Sequence, residues 1–510
     1  SNYLLNMDAD QNGVFDKTFT PIYGTGADSD RVVFDSAYVE RVRSKRYGGI
    51  TSFGYNYRGE EVDDGPEKPG KPFLASAYVQ NKFEYQDLIL NVGVRYELLD
   101  PKGTSIPLGV QNDLQAPPFN SDLNVLKEDS LLETDSFSLL LPRVSFSFPV
   151  TDRTVFYALY GKYAQMPSLN QMYLDNLTLS ALIDPLNRVG YNLGGATIGY
   201  MMKPERLTQY EIGLRQTMTD NFALTVTGFY KDTRDQLQIA RVFNSVGNPI
   251  STAYMNEDFG TQKGVELTLE VRRTNRLAAK VNYSLSEARG TGSSSRTSQS
   301  AVTDDNTSLA PRFVYPLQHN QTHRGSIVLD YRYAKGDGGF LEGFGLNTLF
   351  TFNSGHNYTK IQEPQNLGQA TAWNIGVRAL IDARTRTPLE PINSSTTPWV
   401  FNMDMTLGKV FYLGIVDIEL YARVLNVFNT KSIINLYPTT GTPQDDGWLT
   451  SPLAAGYLVI PQYEAFYRAV NLANRFAYMN IGGGGGLGQQ GGTDIYGSPR
   501  EIRIGMKVEL

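Results

Sequence analysis

Cysteine is absent from this 510-residue chain, and histidine and tryptophan occur only three times each. Without cysteine there is no disulfide, no thiol nucleophile and no cysteine-based metal site. The formal net charge of −6 argues against a nucleic-acid partner, because such proteins carry a basic stripe or patch. No Ser/His/Asp grouping or carboxylate pair stands out among the 510 residues, so an enzyme is disfavoured.

Long hydrophobic runs are also missing. No segment approaches the ~20 consecutive apolar residues that a membrane helix needs, and the mean hydropathy is −0.31. This does not exclude a membrane, because barrel strands alternate lipid-facing and lumen-facing side chains and keep a low mean hydropathy. The 31 Tyr, 25 Phe and 48 Gly suit pleated surfaces, interface girdles, turns and bulges.

Apolar residues recur at every second position along much of the chain. In 264–272, Val265, Leu267 and Leu269 alternate with charged or hydroxyl side chains, and 88–98, 401–408 and 501–510 repeat the pattern. Strict alternation predicts strands with one face toward an apolar medium and the other toward water. Helical periodicity is nearly absent.

The lengths and connections of these segments favour a transmembrane barrel over a soluble β-protein. The strands run about ten residues, the span of a tilted membrane strand. Short turns at 86–87, 218–221 and 273–276 alternate with long polar loops at about 100–134, 166–204, 289–318, 354–398 and 430–499. We expect an all-β, antiparallel barrel of the outer-membrane type over residues 1–510. About fifteen or sixteen strands are countable, which leaves two alternatives: a self-contained barrel, or part of a barrel of about 22 strands.

Charged residues on the second face of the alternating strands are expected to line the barrel interior. They are Arg143, Glu211, Arg215, Glu266, Glu270, Arg272, Asp404, Asp417 and Glu419. One interpretation is that these charges form ion pairs with each other, or with a plug, in a water-filled interior. The functional interpretation is that they line a substrate path. His319 and His323 are expected on one face of a strand, too far apart for easy shared metal ligation.

Several segments resemble the TonB-dependent receptor family, in particular its Oar-like and SusC-like branches. They are 73–84 (FLASAYVQNKFE) followed by 91–96 (NVGVRY), 160–169 (YGKYAQMPSL), 203–214 (KPERLTQYEIGL), 402–404 (NMD) with 424–429 (VLNVFN), and the terminal strand. They extend from about residue 70 to the end of the chain, and their order and spacing match the family.

The resemblance implies a receptor in the bacterial outer membrane that takes up a substrate, energised by TonB and gated by a plug domain. Outer-membrane lipid, TonB and the plug would be its partners, and a surface lipoprotein could be another. The plug is not recognisable in this chain, and we expect it upstream of Ser1. A second hypothesis is a barrel that anchors a surface lipoprotein, a filament or a secretion partner.

One motif near the start of the chain has the spacing of a cation-binding loop. In 8–16 (DADQNGVFD), Asp8, Asp10 and Asn12 alternate, a glycine follows for a tight turn, and Asp16 closes the segment. Such oxygen ligands, with the Val14 carbonyl, can surround Ca²⁺. It is not an EF-hand, because Phe19 stands where the bidentate glutamate would be. The alternative is an ordinary turn rich in Asp, Asn and Gly.

If this loop binds calcium, a chelator should make it sensitive to protease, because three carboxylates in one turn repel each other without a cation. Asp10→Ala should reproduce that sensitivity and leave the barrel folded. Limited proteolysis with and without chelator measures this, and unchanged cleavage would exclude the site.

Overall fold

The computed structural model describes residues 54–55, 60–63, 69–105, 131–172, 197–199, 201–243, 249–297, 313–363, 387–469 and 495–509, with four two-residue strands outside these ranges. The fold is built from thirteen consecutive antiparallel strands. They are β1 (Phe73–Tyr85), β2 (Leu88–Asp100), β3 (Phe137–Thr151), β4 (Thr154–Gln165), β5 (Glu205–Thr219), β6 (Phe222–Phe243), β7 (Pro249–Thr274), β8 (Leu277–Gly290), β9 (His323–Arg332), β10 (Phe344–Asn353), β11 (Val400–Tyr412), β12 (Asp417–Leu425) and β13 (Glu501–Glu509).

Each strand pairs with its neighbours in sequence, so the sheet is a continuous meander. Two short strands join it: Thr197–Gly199 runs parallel to β7, and Tyr315–Pro316 pairs with the end of β8. Four small ladders lie outside the sheet and pair Val14–Phe15 with Val32–Val33, Thr104–Ser105 with Leu132–Glu133, Phe119–Asn120 with Val125–Leu126, and Asn357–Tyr358 with Ser395–Thr396. The described helices are Leu169–Met172, Ala455–Leu458 and Tyr463–Tyr467, with a 3₁₀ turn at Pro452–Ala454.

The strands are joined mostly by short turns at one end and mostly by long loops at the other, which we call the short-turn end and the long-loop end. The β1–β2, β3–β4, β5–β6 and β7–β8 turns are two residues long. The sequence predicted the first correctly, but it predicted four-residue turns at 218–221 and 273–276 for the last two. In the β7–β8 turn both Asn275 (φ 48°) and Arg276 (φ 78°) adopt the left-handed conformation, as a two-residue hairpin of the primed type requires.

The register separates an apolar face from a polar face. Leu214, Val226, Leu267 and Tyr283 form one apolar row across β5 to β8. The next pair along the strands, Thr268 and Asn282, lies on the polar face. The Thr268 hydroxyl donates to Asn282 Oδ1 at 3.2 Å, and Asn282 Nδ2 donates to Ser326 Oγ at 3.2 Å. The period of two predicted from the sequence is therefore kept across the sheet.

The apolar face is uncovered: Leu140 is 66% exposed and Ile212 56%. On β7 the apolar residues extend from Val265 to Val271 and are bounded by Lys263 and Arg273. This band corresponds to about nine residues, the length that crosses a hydrocarbon core when a strand is tilted. A water-soluble protein rarely exposes so large an apolar surface, so the face is suited to lipid.

β6 and β7 are much longer than the sequence predicts. The alternation predicts a strand at 264–272, but β7 begins at Pro249 and its partner β6 ends at Phe243, both at the long-loop end. The extension is covered by loops, so Ile239 and Ala253 have no exposed surface. Met202, Leu237 and Tyr254 pack with Ile239 into a core that the loops cover. Because residues on both faces of the extension are buried, polar and apolar residues do not alternate there, and the sequence pattern does not predict a strand.

A matched pair of substitutions tests which face meets lipid. We expect Leu267→Arg to lower the free energy of unfolding by about 2–4 kcal/mol near the bilayer midplane. The adjacent Thr268→Arg should have a mild effect, because its side chain lies on the polar face. Denaturant unfolding in lipid vesicles measures both, and equal losses would contradict the assignment of the faces.

Candidate functional site

The polar face carries a cavity of about 440 Å³ at the long-loop end of β5 to β8. Its wall consists of residues of that face, namely Glu205, Leu207, Lys231, Thr233, Gly260, Gln262 and Ala288. Loop and hairpin residues line the rest of the cavity, among them Gln171, Gln236, Asp258, Ser293, Ser294, Ser295, Leu317 and His319. The cavity is therefore mainly polar, and leucine and alanine side chains supply its apolar part.

Part of the cavity lining is held in place by a buried hydrogen-bond network centred on Asp258. Its side chain is 5% exposed and accepts from Gln238 Nε2 at 2.9 Å and from Thr291 Oγ1 at 2.8 Å. The Tyr315 hydroxyl donates to the Thr291 carbonyl at 3.0 Å. Burial, reinforced by the charge of Asp258, raises the pKa of Tyr315 to about 12, so the hydroxyl remains a neutral donor. A carboxylate taken out of water needs such partners.

Glycines make room for this network. A Cβ at Gly292 would lie 2.0 Å from Asp258 Oδ2, so no other residue fits there without displacing the carboxylate. At Gly260 a Cβ would lie 3.2 Å from Gln236 Oε1. That buried oxygen, like Gln238 Oε1, has no hydrogen-bond partner among the described residues. A buried acceptor without a partner is uncommon, and Gln236 is one of the residues that line the cavity.

Three buried asparagines fasten the β8–β9 loop to the β10–β11 loop. Asn320 accepts from the Ala288 N–H at 2.8 Å and donates to Asn357 Oδ1 at 2.9 Å. Asn357 donates to the Asn393 carbonyl at 2.7 Å, and Asn393 donates to the Pro316 carbonyl at 2.8 Å. The two loops therefore form one cross-linked cover next to the cavity.

Charges on the polar face are close to balanced. The carboxylates are Glu84, Glu97, Glu205, Glu211, Glu266, Glu270, Asp330, Asp404, Asp417, Glu419, Glu501 and Glu509, and the cations are Lys82, Arg95, Arg143, Arg215, Lys231, Arg272, Lys280, Arg324, Arg332, Arg423, Arg503 and Lys507. Several are paired, such as Lys280 with Glu270 at 2.8 Å and Arg95 with Glu97 at 2.5 Å. Lys231 lies over the Phe229 ring at 5.2 Å and has no ion pair within the described part of the chain.

The charged residues predicted to line the interior do share the polar face, from Arg143 on β3 to Glu419 on β12. The prediction for the two histidines is wrong, because β9 begins at His323 and His319 lies in the preceding turn. His319 lines the cavity, whereas His323 stacks on Trp399 with ring centroids 5.4 Å apart and its Nδ1 lies 2.8 Å from the Tyr283 hydroxyl. Tyr283 belongs to the apolar face, so this histidine has an aromatic, structural setting.

The calcium prediction falls outside the described residues. Of its ligands, Val14 is described only as a strand residue paired with Val33, and Asp8, Asp10, Asn12 and Asp16 are not described. Elsewhere, the described residues contain no group of three or more His, Asp or Glu side chains arranged to hold a metal. Calcium binding remains a prediction.

The sequence did not predict the cavity. It draws on β5, β6, β7 and β8 and on loop residues near 171, 293 and 317, which are distant along the chain and share no local motif. The alternation of Glu205, Leu207 and Gln209 on β5 is the sequence signal that could have predicted part of the cavity wall.

Comparison with known proteins decides the family. The family profile described as TonB dependent receptor-like, beta-barrel matches residues 1–427. The chain belongs to the TonB-dependent receptor family. The receptor barrel is accordingly an antiparallel transmembrane β-barrel of the bacterial outer membrane, as the sequence predicted. Assignment to the Oar-like or SusC-like branch stays a prediction.

The solved structures that match this chain include an iron transporter, an import receptor and a siderophore receptor. The FrpB iron transporter from Neisseria meningitidis is 17% identical with a TM-score of 0.43, and the match covers 71% of this chain and 41% of FrpB. The ferric-catecholate import receptor Fiu from E. coli K12 (15%, 0.39) is covered over 41% of its length, and the siderophore receptor PiuA from Acinetobacter baumannii (13%, 0.40) over 40%, each across 71% of this chain. The chain thus spans about two fifths of the structures it matches. No curated protein sequence matches it.

None of the helices in the described part of the chain is long and apolar enough to cross a bilayer.

The asparagine network yields a test of the loop cover. Asn320→Ala removes two buried hydrogen bonds and leaves the Ala288 N–H unpaired, so we expect a local cost of about 1–3 kcal/mol. The neighbouring Gln321→Ala is the control, because Gln321 makes one long bond of 3.3 Å to Asn353. Hydrogen exchange should accelerate at Ala288 and in 313–322 for the first variant only. Equal exchange in both variants would contradict a cross-linked cover.

Proposed function

We propose that this chain forms the barrel of a receptor that takes up a small polar substrate across the outer membrane, energised by TonB and gated by a plug domain. The observation that carries the proposal is the cavity on the polar face at the long-loop end. It combines an unsatisfied acceptor, Gln236 Oε1, with an ammonium group, Lys231, that has no ion pair among the described residues. A ligand acceptor would pair with the Lys231 ammonium, and a ligand donor would reach the Gln236 amide oxygen after a change of that side chain's conformation.

The near balance of charge on the polar face bears on the kind of substrate. A wall with one sign of charge would concentrate ligands of the opposite sign. Here carboxylates and cations are present in similar numbers, so attraction over long distances is weak and hydrogen bonds at the cavity would provide selectivity. We therefore infer a substrate that is neutral or zwitterionic, rather than one carrying several negative charges.

The cavity can be blocked by one side chain. In Thr233→Trp the indole would occupy the cavity from β6, so substrate affinity should fall by about tenfold or more, which is at least ~1.4 kcal/mol, and uptake from dilute substrate should fall with it. Thr351→Trp is the matched control, because Thr351 is also a polar-face threonine but lies outside the cavity. Uptake of labelled siderophores, oligosaccharides and peptides, compared between cells with and without the gene, identifies the substrate to use.

The same assay in cells lacking TonB tests the energy source. Uptake should be lost there and restored with TonB. Uptake that persists without TonB, or that both tryptophan variants reduce equally, would contradict the proposal. No uptake of any substrate, together with a stable stoichiometric protein partner, would favour the anchoring function instead.

A further inference from the structure

The turns at the short-turn end are of two kinds. Those between β1–β2, β3–β4, β5–β6 and β7–β8 have polar or charged tips: Gln86-Asp87, Asp152-Arg153, Asp220-Asn221 and Asn275-Arg276. The next two, at 333–343 between β9 and β10 and at 413–416 between β11 and β12, expose apolar side chains instead. Phe340 is 91% exposed, Ile415 89%, Leu413 63% and Leu341 41%.

Phe340 lies beside the apolar face of the sheet. The Lys409 ammonium is 5.6 Å from the centroid of the Phe340 ring and 5.7 Å from that of Phe411. Lys409 and Phe411 belong to the apolar face, because they pair with Leu420 and Ile418 of β12. Phe340 therefore continues the lipid-facing band toward the short-turn end and does not lie in front of the polar interior.

The longer turn is held in one conformation. Lys409 Nζ donates to the Phe340 carbonyl at 2.7 Å and also to that of Glu342. Asp337 accepts from the Ala334 N–H at 2.9 Å and from Arg276 at 3.0 Å, and Arg276 lies over the Tyr333 ring at 4.5 Å. The exposure of Phe340 is thus fixed by hydrogen bonds around it.

We propose that the turns 333–343 and 413–416 form a membrane anchor that inserts into the lipid leaflet on the short-turn side. Aromatic rings together with lysine and arginine are the side chains that suit the boundary between headgroups and acyl chains. Continuity with the lipid-facing band favours lipid over a protein as the occupant. The four polar turns remain in water, so the anchor immerses β9 to β12 more deeply at this end than β1 to β8.

These 510 residues contain no cysteine, so an introduced thiol is unique among them, and any cysteine elsewhere in the full-length protein would first be replaced by serine. Phe340→Cys and Ile415→Cys would be labelled with an environment-sensitive fluorophore in the full-length protein, in phosphatidylcholine–phosphatidylglycerol vesicles. Gln86→Cys and Asp220→Cys serve as matched controls on polar turns at the same end. Retained heat-modifiable mobility in gels shows that each variant is folded.

We expect blue-shifted emission at positions 340 and 415, with strong quenching by lipids that carry a nitroxide near the headgroup and little quenching by aqueous iodide. Positions 86 and 220 should show the reverse. The anchor is excluded if all four labels are quenched by iodide alone. It is also excluded if 340 and 415 are shielded from iodide without quenching by lipid, since a protein would then cover them. Two independent positions keep the result decisive should one variant fold poorly.

Discussion

The hydrogen-bond ladder between neighbouring strands is the constraint on which the rest of the structure depends. Hydrocarbon offers no partner for a backbone N–H or C=O, so each must be satisfied by the adjacent strand. Once the ladder fixes the register, every second side chain has to point the same way. The row Leu214, Val226, Leu267 and Tyr283 and the row of Thr268 and Asn282 are both consequences of one set of backbone pairings.

The long-loop end follows a different rule. Above the lipid band, polar groups such as Asp258 and Asn320 are buried and satisfied by side chains from segments far apart in the sequence. Burying a polar group is costly unless its partners are in place, which gives such networks a strong preference for a single arrangement. The cavity is bounded by this network, so its shape is maintained by the same bonds that join the loops.

The sequence predicted those features that repeat locally. The alternation in 264–272 identified β7 within the membrane, and the dipeptide Gln86-Asp87 identified a turn, because a period of two and a turn are encoded by adjacent residues. The outer halves of β6 and β7 were missed, because Ile239 and Ala253 are covered on both sides by loops and the alternation disappears there. The cavity was missed for a related reason: Glu205, Lys231 and Leu317 come together only through the sheet register and a long loop.

Strand direction adds a condition on how the barrel closes. Consecutive strands of the meander run in opposite directions, so β1 and β13, an even number of steps apart, run the same way. Within the described residues each of them has a neighbour on one side only. If they paired with each other, the seam would be parallel. A barrel that is antiparallel throughout therefore needs an odd number of further strands between β13 and β1, whichever part of the receptor supplies them, and its total strand number must be even.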